Sequence, residues 1–420
     1  MKKLGKYSIG IGDRFACQGK AQLQAVIKTQ EWGIDITPVW NKSYREHEII
    51  HSHPADTRRA ADEAVRLCNW KKDYFVDADH VGVRTVDLFI DTSDFFTIDV
   101  ADFIGEKADQ QSLDQFHNQH QKYVGPLKIP NLPETISITY DHILEIAETY
   151  LRAVEEAGKI HRHITSKKGT VGCIIEISMD ETSKAQTPIE LFFILSAIAR
   201  ENIPVQTIAP KFTGQFYKGI DYMGNVDQFS KEFETDLAVI DFAVGELGLP
   251  ANLKLSMHSG SDKFSLYPSM KNALKKYNAG LHLKTAGTTW LEEVIGLAES
   301  GGEGLAIAKI IYRQAYHRID ELSKPYANVI DIDFQKLPSS DQVDLWDGLQ
   351  YASALKHDPT NLRFNPHFRQ LIHIGYKIAA EMKARYLAAL KQYEKTIARH
   401  VTENIYENHL KRLFDGLGNN

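Results

Sequence analysis

Ile174-Ile175-Glu176-Ile177-Ser178-Met179-Asp180 is the stretch on which the fold turns. Side chains alternate in direction along a strand, so Glu176, Ser178 and Asp180 share one face and Ile175, Ile177 and Met179 the other. Two further runs repeat the pattern. Leu253-Lys254-Leu255-Ser256-Met257-His258 sets Ser256 and His258 against Leu253, Leu255 and Met257, and Leu281-His282-Leu283-Lys284-Thr285 sets His282 and Lys284 against Leu281 and Leu283. A carboxylate inside an apolar sheet is costly unless it is paired, metal-bound or protonated. In a barrel, strand residues alternate between the interior and the helix layer, so these three runs each project a polar face.

Along the rest of the chain, strand-like runs alternate with amphipathic stretches, the pattern of parallel βα architecture. Strands are expected at Tyr7–Gly12, Ile34–Trp40, Tyr74–Asp79, Phe95–Asp99, Gly172–Met179, Val205–Pro210, Leu253–His258 and Gly280–Thr285. That makes eight, the number that closes a TIM-type (β/α)8 barrel. Helices are expected at Lys20–Glu31, Asp56–Cys68, Tyr140–Ala157, Pro188–Asn202, Asn225–Gly245 and Lys271–Tyr277; Thr187-Pro188 gives one of them a capping hydroxyl and a first-turn proline. A doubly wound sheet is the alternative, but nothing marks its usual phosphate loop. Beyond Trp290 the strand signal stops, and Leu291–Arg318 and Pro366–Phe414 read as long helices. The expected fold class is therefore α/β, with a barrel over residues 1–310 and a helical extension over 311–420 packed on it.

Composition narrows the partners. The chain has 420 residues, 43% hydrophobic and 25% charged, with a formal net charge of -6. That is an ordinary globular balance with no basic footprint for nucleic acid or an anionic membrane. Cys17, Cys68 and Cys173 are too scattered for a disulfide framework or a CxxC site. No run approaches the roughly 18 apolar residues of a membrane span, and the first residues lack a signal-peptide core. The expectation is a cytoplasmic protein acting on a small molecule, with a homo-oligomer left open.

Three histidines close strand-like runs: His80 in Tyr74-Phe75-Val76-Asp77-Ala78-Asp79-His80, then His258 and His282. Neutral imidazole is the commonest protein ligand for a divalent metal, and strand ends of a barrel converge on one site. His80, His258 and His282 are therefore candidate ligands, the bland alternative being satisfied core histidines. Asp79 beside His80 is a candidate for proton exchange; its plain reading is a turn cap.

In His258-Ser259-Gly260-Ser261-Asp262-Lys263, small residues, hydroxyls, carboxylate and ammonium offer contacts to a polyol or anion, or simply form a turn. Lys284 and Lys211 either hold a substrate anion or bridge barrel carboxylates, and Asp13-Arg14 carries the same ambiguity. His47, His51 and His53 have metal-like spacing but, among Arg45, Glu46 and Glu48, read as a solvated surface; His161-Arg162-His163 reads as a helix end. Gly10-Ile11-Gly12 lacks the third glycine of a dinucleotide fingerprint, and Gly301-Gly302-Glu303-Gly304 follows a helix. No NAD is expected.

The chain resembles the tagaturonate/fructuronate epimerase family. The matching pieces are Gly12-Asp13-Arg14, Asp77-Ala78-Asp79-His80-Val81, Phe96-Thr97-Ile98-Asp99, Asp180-Glu181-Thr182, Lys218-Gly219-Ile220-Asp221-Tyr222, the run from Leu255 to Pro268, Lys284-Thr285-Ala286-Gly287 and Arg369-Gln370-Leu371-Ile372-His373. They span most of the chain in one order. The resemblance implies a metal-dependent epimerase inverting C4 of a ketohexuronate; related sequences look like tagatose 4-epimerases acting on the neutral ketohexose. Two departures bear on the substrate. This sequence begins almost at the first barrel strand, and it has Gln215 in Thr213-Gly214-Gln215-Phe216, where the uronate enzymes carry an acid.

The C4 hydrogen of a 2-ketose is β to the carbonyl, so enolisation does not acidify it. Reversible C3–C4 cleavage, with a metal polarising the ketone, is the natural route, and the Asp-His pair and His-Ser-Gly-Ser loop are similar to those of class II aldolases. The resulting assignment is Asp79 and Glu176 as acid/base pair, with Glu181 the alternative acid, and His80, His258 and His282 as ligands. Asp13, Arg14, Lys211, Gln215, Ser259, Asp262, Lys263 and Lys284 would bind substrate. The metal is zinc, manganese, cobalt or nickel, which such ligands suit alike. A class II-type aldolase and a non-catalytic sugar-binding barrel are the competing readings.

Overall fold

Eight parallel strands close into a barrel in this computed structural model, which describes residues 2–132, 135–169, 172–180, 182, 184–285 and 287–418. The strands are β1 (Tyr7–Gly12), β2 (Ile36–Ser43), β3 (Phe75–Val81), β4 (Phe95–Asp99), β5 (Ile174–Ser178), β6 (Thr207–Ala209), β7 (Lys254–His258) and β8 (Leu281–Lys284), in the cyclic order β1-β8-β7-β6-β5-β4-β3-β2. Each expected strand is present. The largest boundary error is in β2, which runs on through Asn41, Lys42 and Ser43 after its apolar stretch ends.

Alternation sorts the two faces. Ile9, Ile11, Trp40, Val76, Phe96, Ile98, Ile175, Ile177, Leu255 and Leu283 pack outward into one continuous core with the helices. Inside, apolar packing is confined to Leu4, Val39, Phe75, Phe95 and Ile174. These lie toward the strand N-termini, and above them the interior is polar: Ser8, Asp77, Thr97, Glu176, Ser256, His282 and Lys284 are all buried. The stabilising apolar area is thus mostly in the outer layer, and the inner layer is left for chemistry.

Helices Gly19–Lys28, Pro54–Leu67, Tyr140–Lys168, Pro188–Arg200, Val226–Leu247, Tyr267–Tyr277 and Thr288–Glu299 form the outer ring. Thr187 does cap its helix, accepting from Glu190 N while Thr187 N donates to Glu190 Oε2 at 2.6 Å. The connection from β3 to β4 has only a 3-10 turn, Val86–Leu88. Helices Tyr44–Ile50 and Gln110–His120 were not expected from the periodicity. His47, expected on a solvated surface, is buried: its Nδ1 lies 2.7 Å from Ser52 Oγ, and burial pushes the imidazole down to about 3.

The last hundred residues fold back on the barrel as short helices rather than two long ones. Gly301, at φ 69°, separates Thr288–Glu299 from Gly302–His317, and Lys383, at φ 51°, breaks the next run. Arg369 anchors this part. Wholly buried, it donates to Asp262 Oδ2 at 2.6 Å, to Gly219 O at 2.7 Å and to Leu355 O at 2.5 Å. Breaking a buried pair strands one charge, so Arg369→Leu should cost about 3 kcal/mol or more, read as a lower denaturation midpoint at unchanged m-value.

Helix Thr288–Glu299 carries two buried carboxyls, Glu292 and Glu293, each pushed up to about 8 by burial, with help from Asp262 and Asp13 respectively. A carboxyl raised above its ordinary value near 4.5 holds a proton in the folded state that the unfolded chain has released. Stability therefore falls as pH rises from about 5 to 8, at up to about 1.4 kcal/mol per pH unit for each group. Glu293→Gln should flatten that slope in melting curves recorded across pH 5 to 8; an unchanged slope would assign the dependence elsewhere.

Candidate active site

A bulge creates the centre of the site. The register between β3 and β4 shifts between Ala78 and Val81, and His80 sits at φ 52°. Strict alternation would turn Asp79 inward and His80 outward. The bulge re-aims His80, so consecutive residues both face the mouth of the barrel. His80 Nδ1 lies 2.9 Å from Asp99 Oδ2, leaving Nε2 for the site.

His258 ends β7 and lies opposite, its ring centroid 5.3 Å from that of His80. Its Nε2 meets Glu176 Oε1 at 2.8 Å, while its buried Nδ1 has no hydrogen-bond partner and lies 3.2 Å from Asp180 Oδ2. Ligand atoms of His80, Asp180 and His258 all fall within 4.8 Å of one another. Each imidazole thus rests one nitrogen on a carboxylate and turns the other toward a shared point, the usual support of a metal-binding histidine. Two imidazoles and a carboxylate fit a divalent ion by donor type as well.

The electrostatics show the same bias. Burial alone would depress both imidazoles. Asp79 and Asp99 nevertheless hold His80 well above its ordinary value, and Asp180 and Glu176 raise His258 to about 9. Asp180 is held far below the usual carboxylate range by His258 and His80, against its own burial. The pocket favours positive charge between these groups.

Lys284 forms the floor. Its Nζ lies 2.8 Å from Asp77, 2.9 Å from Asp79 and 2.8 Å from Glu176, and donates to Thr97 Oγ1 at 2.5 Å. Thr97 Oγ1 in turn lies 3.0 Å from Asp77 and 3.1 Å from Glu176. One ammonium therefore serves three acids: burial and its two acidic neighbours push Asp77 up to about 6 despite Lys284, whereas Lys284 with the two histidines holds Asp79 low. Of the two roles open to Lys284, it takes that of bridging barrel carboxylates.

His282 does not join the converging group. Register explains why: Lys284 is level with His258, but His282 is level with Ser256, one layer deeper. There its Nδ1 lies 2.9 Å from Ser8 Oγ, its ring lies beside Phe95, and burial lowers it to about 3. Asp180, on the same strand face as Glu176, stands where a third histidine was expected. Glu176 is fully buried behind His258 rather than open to a substrate. Glu181 lies outside the described residues.

The loop after His258 is structural. Ser259 Oγ donates to Lys284 O at 2.7 Å, and Lys263 Nζ donates to Tyr217 O at 3.0 Å and Ile220 O at 2.7 Å. Asp262 is enclosed by Arg369, His409 and His357, at 2.6, 3.0 and 3.2 Å. All three residues are buried and engaged: Ser259 holds the end of β8, Lys263 the loop after β6, and Asp262 the helical extension. Asp13 is also buried, accepting from Gln18 N at 2.6 Å. Arg14 is buried, with Nη1 lacking a hydrogen-bond partner. Lys211 is half-buried, and Gln215 is exposed where its backbone pairs with Met223. Asp77, Thr97, Asp99 and Asp180 were missed as site residues, although each falls on an inward-facing or strand-end position.

The family model described as UxaE, tagaturonate epimerase, matches residues 1–413. A curated protein of Thermotoga maritima, tagaturonate/fructuronate epimerase, is 27% identical, over 95% of this chain and 80% of its own length. Crystal structures of fructuronate-tagaturonate epimerase UxaE from Cohnella laeviribosi, native and complexed with one glycerol, are each 23% identical at a TM-score of 0.79, covering 98% of this chain and 82% of theirs. At that identity the likeness shows the fold.

Proposed function

The chain belongs to the tagaturonate epimerase family and is a sugar epimerase, and from that premise we propose that it interconverts tagaturonate and fructuronate by inverting C4, with a divalent metal held by His80, His258 and Asp180. One observation carries this reading: two imidazoles, each backed by a carboxylate, converge with Asp180 at the mouth of the barrel. Bound there, the ion supplies a Lewis acid to the ketone, and zinc, manganese, cobalt and nickel all suit these donors.

The remaining chemistry falls to the protein. Asp79, the carboxylate beside the converging group and 3.9 Å from His80 Nε2, takes the proton of the C4 hydroxyl. The electron pair of the C3–C4 bond passes to C3, where the adjacent C2 carbonyl delocalises it, and C4 becomes an aldehyde. The aldehyde presents its other face, C3 attacks it, and Asp79 returns the proton to the new C4 oxygen. Lys284 and Asn41, at 2.9 and 3.3 Å, fix the Asp79 carboxylate while it does so. Glu176 acts through His258 and is a positioning residue.

The test is incubation of the pure protein with each ketouronate, with and without a chelator. The expected result is formation of the C4 epimer, abolished by chelator and restored by added divalent ion. Accumulation of free triose fragments would make the protein an aldolase, and turnover indifferent to chelator would remove the metal from the reading.

A further inference from the structure

Arg14 follows β1, Arg45 follows β2 and Lys218 lies in the loop after β6. In the cyclic strand order β2 and β6 stand diametrically opposite. Yet Arg45 and Lys218 lie over the same ring, that of Tyr326, with the guanidinium carbon at 5.5 Å and the ammonium at 5.7 Å from its centroid. Loops from opposite walls of the barrel therefore meet at Tyr326, on the side of the sheet where the strands end in His80 and His258. Tyr326 hydroxyl lies 2.7 Å from that of Tyr376, and Arg14 stacks on Tyr376 at 4.4 Å. Lys218 N also donates to Val329 O at 2.8 Å, tying its loop to the extension.

Three cations thus gather around two joined tyrosines. The carboxylate beside Arg14 is Glu46, 3.3 Å from Nε in a geometry that makes no hydrogen bond, and Nη1 has no acceptor either. One helical turn before Tyr376, His373 is buried with both ring nitrogens unpartnered. Burial, and then the charges of Arg14, Lys218, Arg369 and Lys263, hold it well below its ordinary value. A buried guanidinium with idle donors, near a buried imidazole whose two nitrogens have no partner, describes a place that favours an anion.

We propose that Arg14, Arg45 and Lys218, grouped on the Tyr326–Tyr376 pair, form the subsite for the substrate's terminal carboxylate, the end remote from the ketone. This assignment rests on the ketouronate reading above. It makes these residues determinants of specificity between sugar acid and neutral ketose, and places the tyrosine platform that groups them in the helical extension.

Lys218→Met and Arg45→Met, neither at a wholly buried position, test it. The ratio of kcat/KM for tagaturonate to that for tagatose should fall about 10- to 100-fold in each, through KM rather than kcat, as expected for loss of one charged contact. Lys218→Arg should recover most of the ratio. In parallel, galactonate, an unreactive sugar acid, is titrated calorimetrically into wild type and variants, and its affinity should fall by a similar factor. An unchanged ratio together with unchanged galactonate affinity would overturn the subsite. If wild type epimerises neither ketouronate, the function above fails, while the galactonate titration still decides whether these cations bind a carboxylate.

Discussion

His258→Ala is expected to strip the protein of bound divalent metal and to lower kcat/KM for ketouronate epimerisation by about three orders of magnitude or more. His258 offers Nδ1 to the shared point while Glu176 holds Nε2 at 2.8 Å, so alanine removes a ligand and leaves Glu176 with Lys284 and Thr97. With two donors remaining the ion is released, and the several kcal/mol that a Lewis acid contributes at a developing oxyanion disappear with it. Metal analysis of dialysed protein and turnover on tagaturonate would be read together. Stoichiometric metal at full turnover would remove His258 from the ligand set.

Asp79→Asn should behave differently: metal content stays near that of wild type while kcat drops about 10²- to 10⁴-fold, the usual worth of a positioned general base. Asparagine keeps the shape of Asp79 and an oxygen for Lys284 Nζ, so the floor of the site survives and binding changes little. The split between retained metal and lost kcat separates a base from a ligand. Unchanged turnover would dismiss Asp79 as the base, and lost metal would move it into the coordination set.

The architecture was readable because the inner and outer faces of the strands differ so sharply in polarity. Ile175, Ile177, Leu255, Met257 and Leu283 announce the helix layer, and Glu176, Ser256 and His282 the interior. The missed pieces have local causes. β2 was cut short because Asn41-Lys42-Ser43 is polar, yet a strand end at a barrel mouth has every reason to be polar. Helix Tyr44–Ile50 is too short for a clear apolar period, although Ser43 and Glu46 form a capping box at its start, a signal present in the sequence.

The site was half legible. Alternation says which face a side chain occupies but not its height, and height separates His282 from His258. It also cannot anticipate the bulge that turns His80 inward beside Asp79. Asp180 could have been found, since it shares a face with Glu176 at the end of the same strand. The grouping of Arg14, Arg45 and Lys218 could not, because it depends on an aromatic ring hundreds of residues away from two of them.

If the chemistry is the C3–C4 cleavage proposed above, the tyrosine held between the loops after β2 and β6 decides how the two fragments fare. An enzyme that cuts a carbon chain and lets both halves diffuse away needs an open doorway; one that must hand the same two halves back to each other needs a cage. With Tyr326 braced from opposite walls, the short-lived aldehyde of the proposed cleavage would have room to tumble but little chance to leave. Recapture would then outrun escape, and the outcome would be a change of handedness instead of degradation.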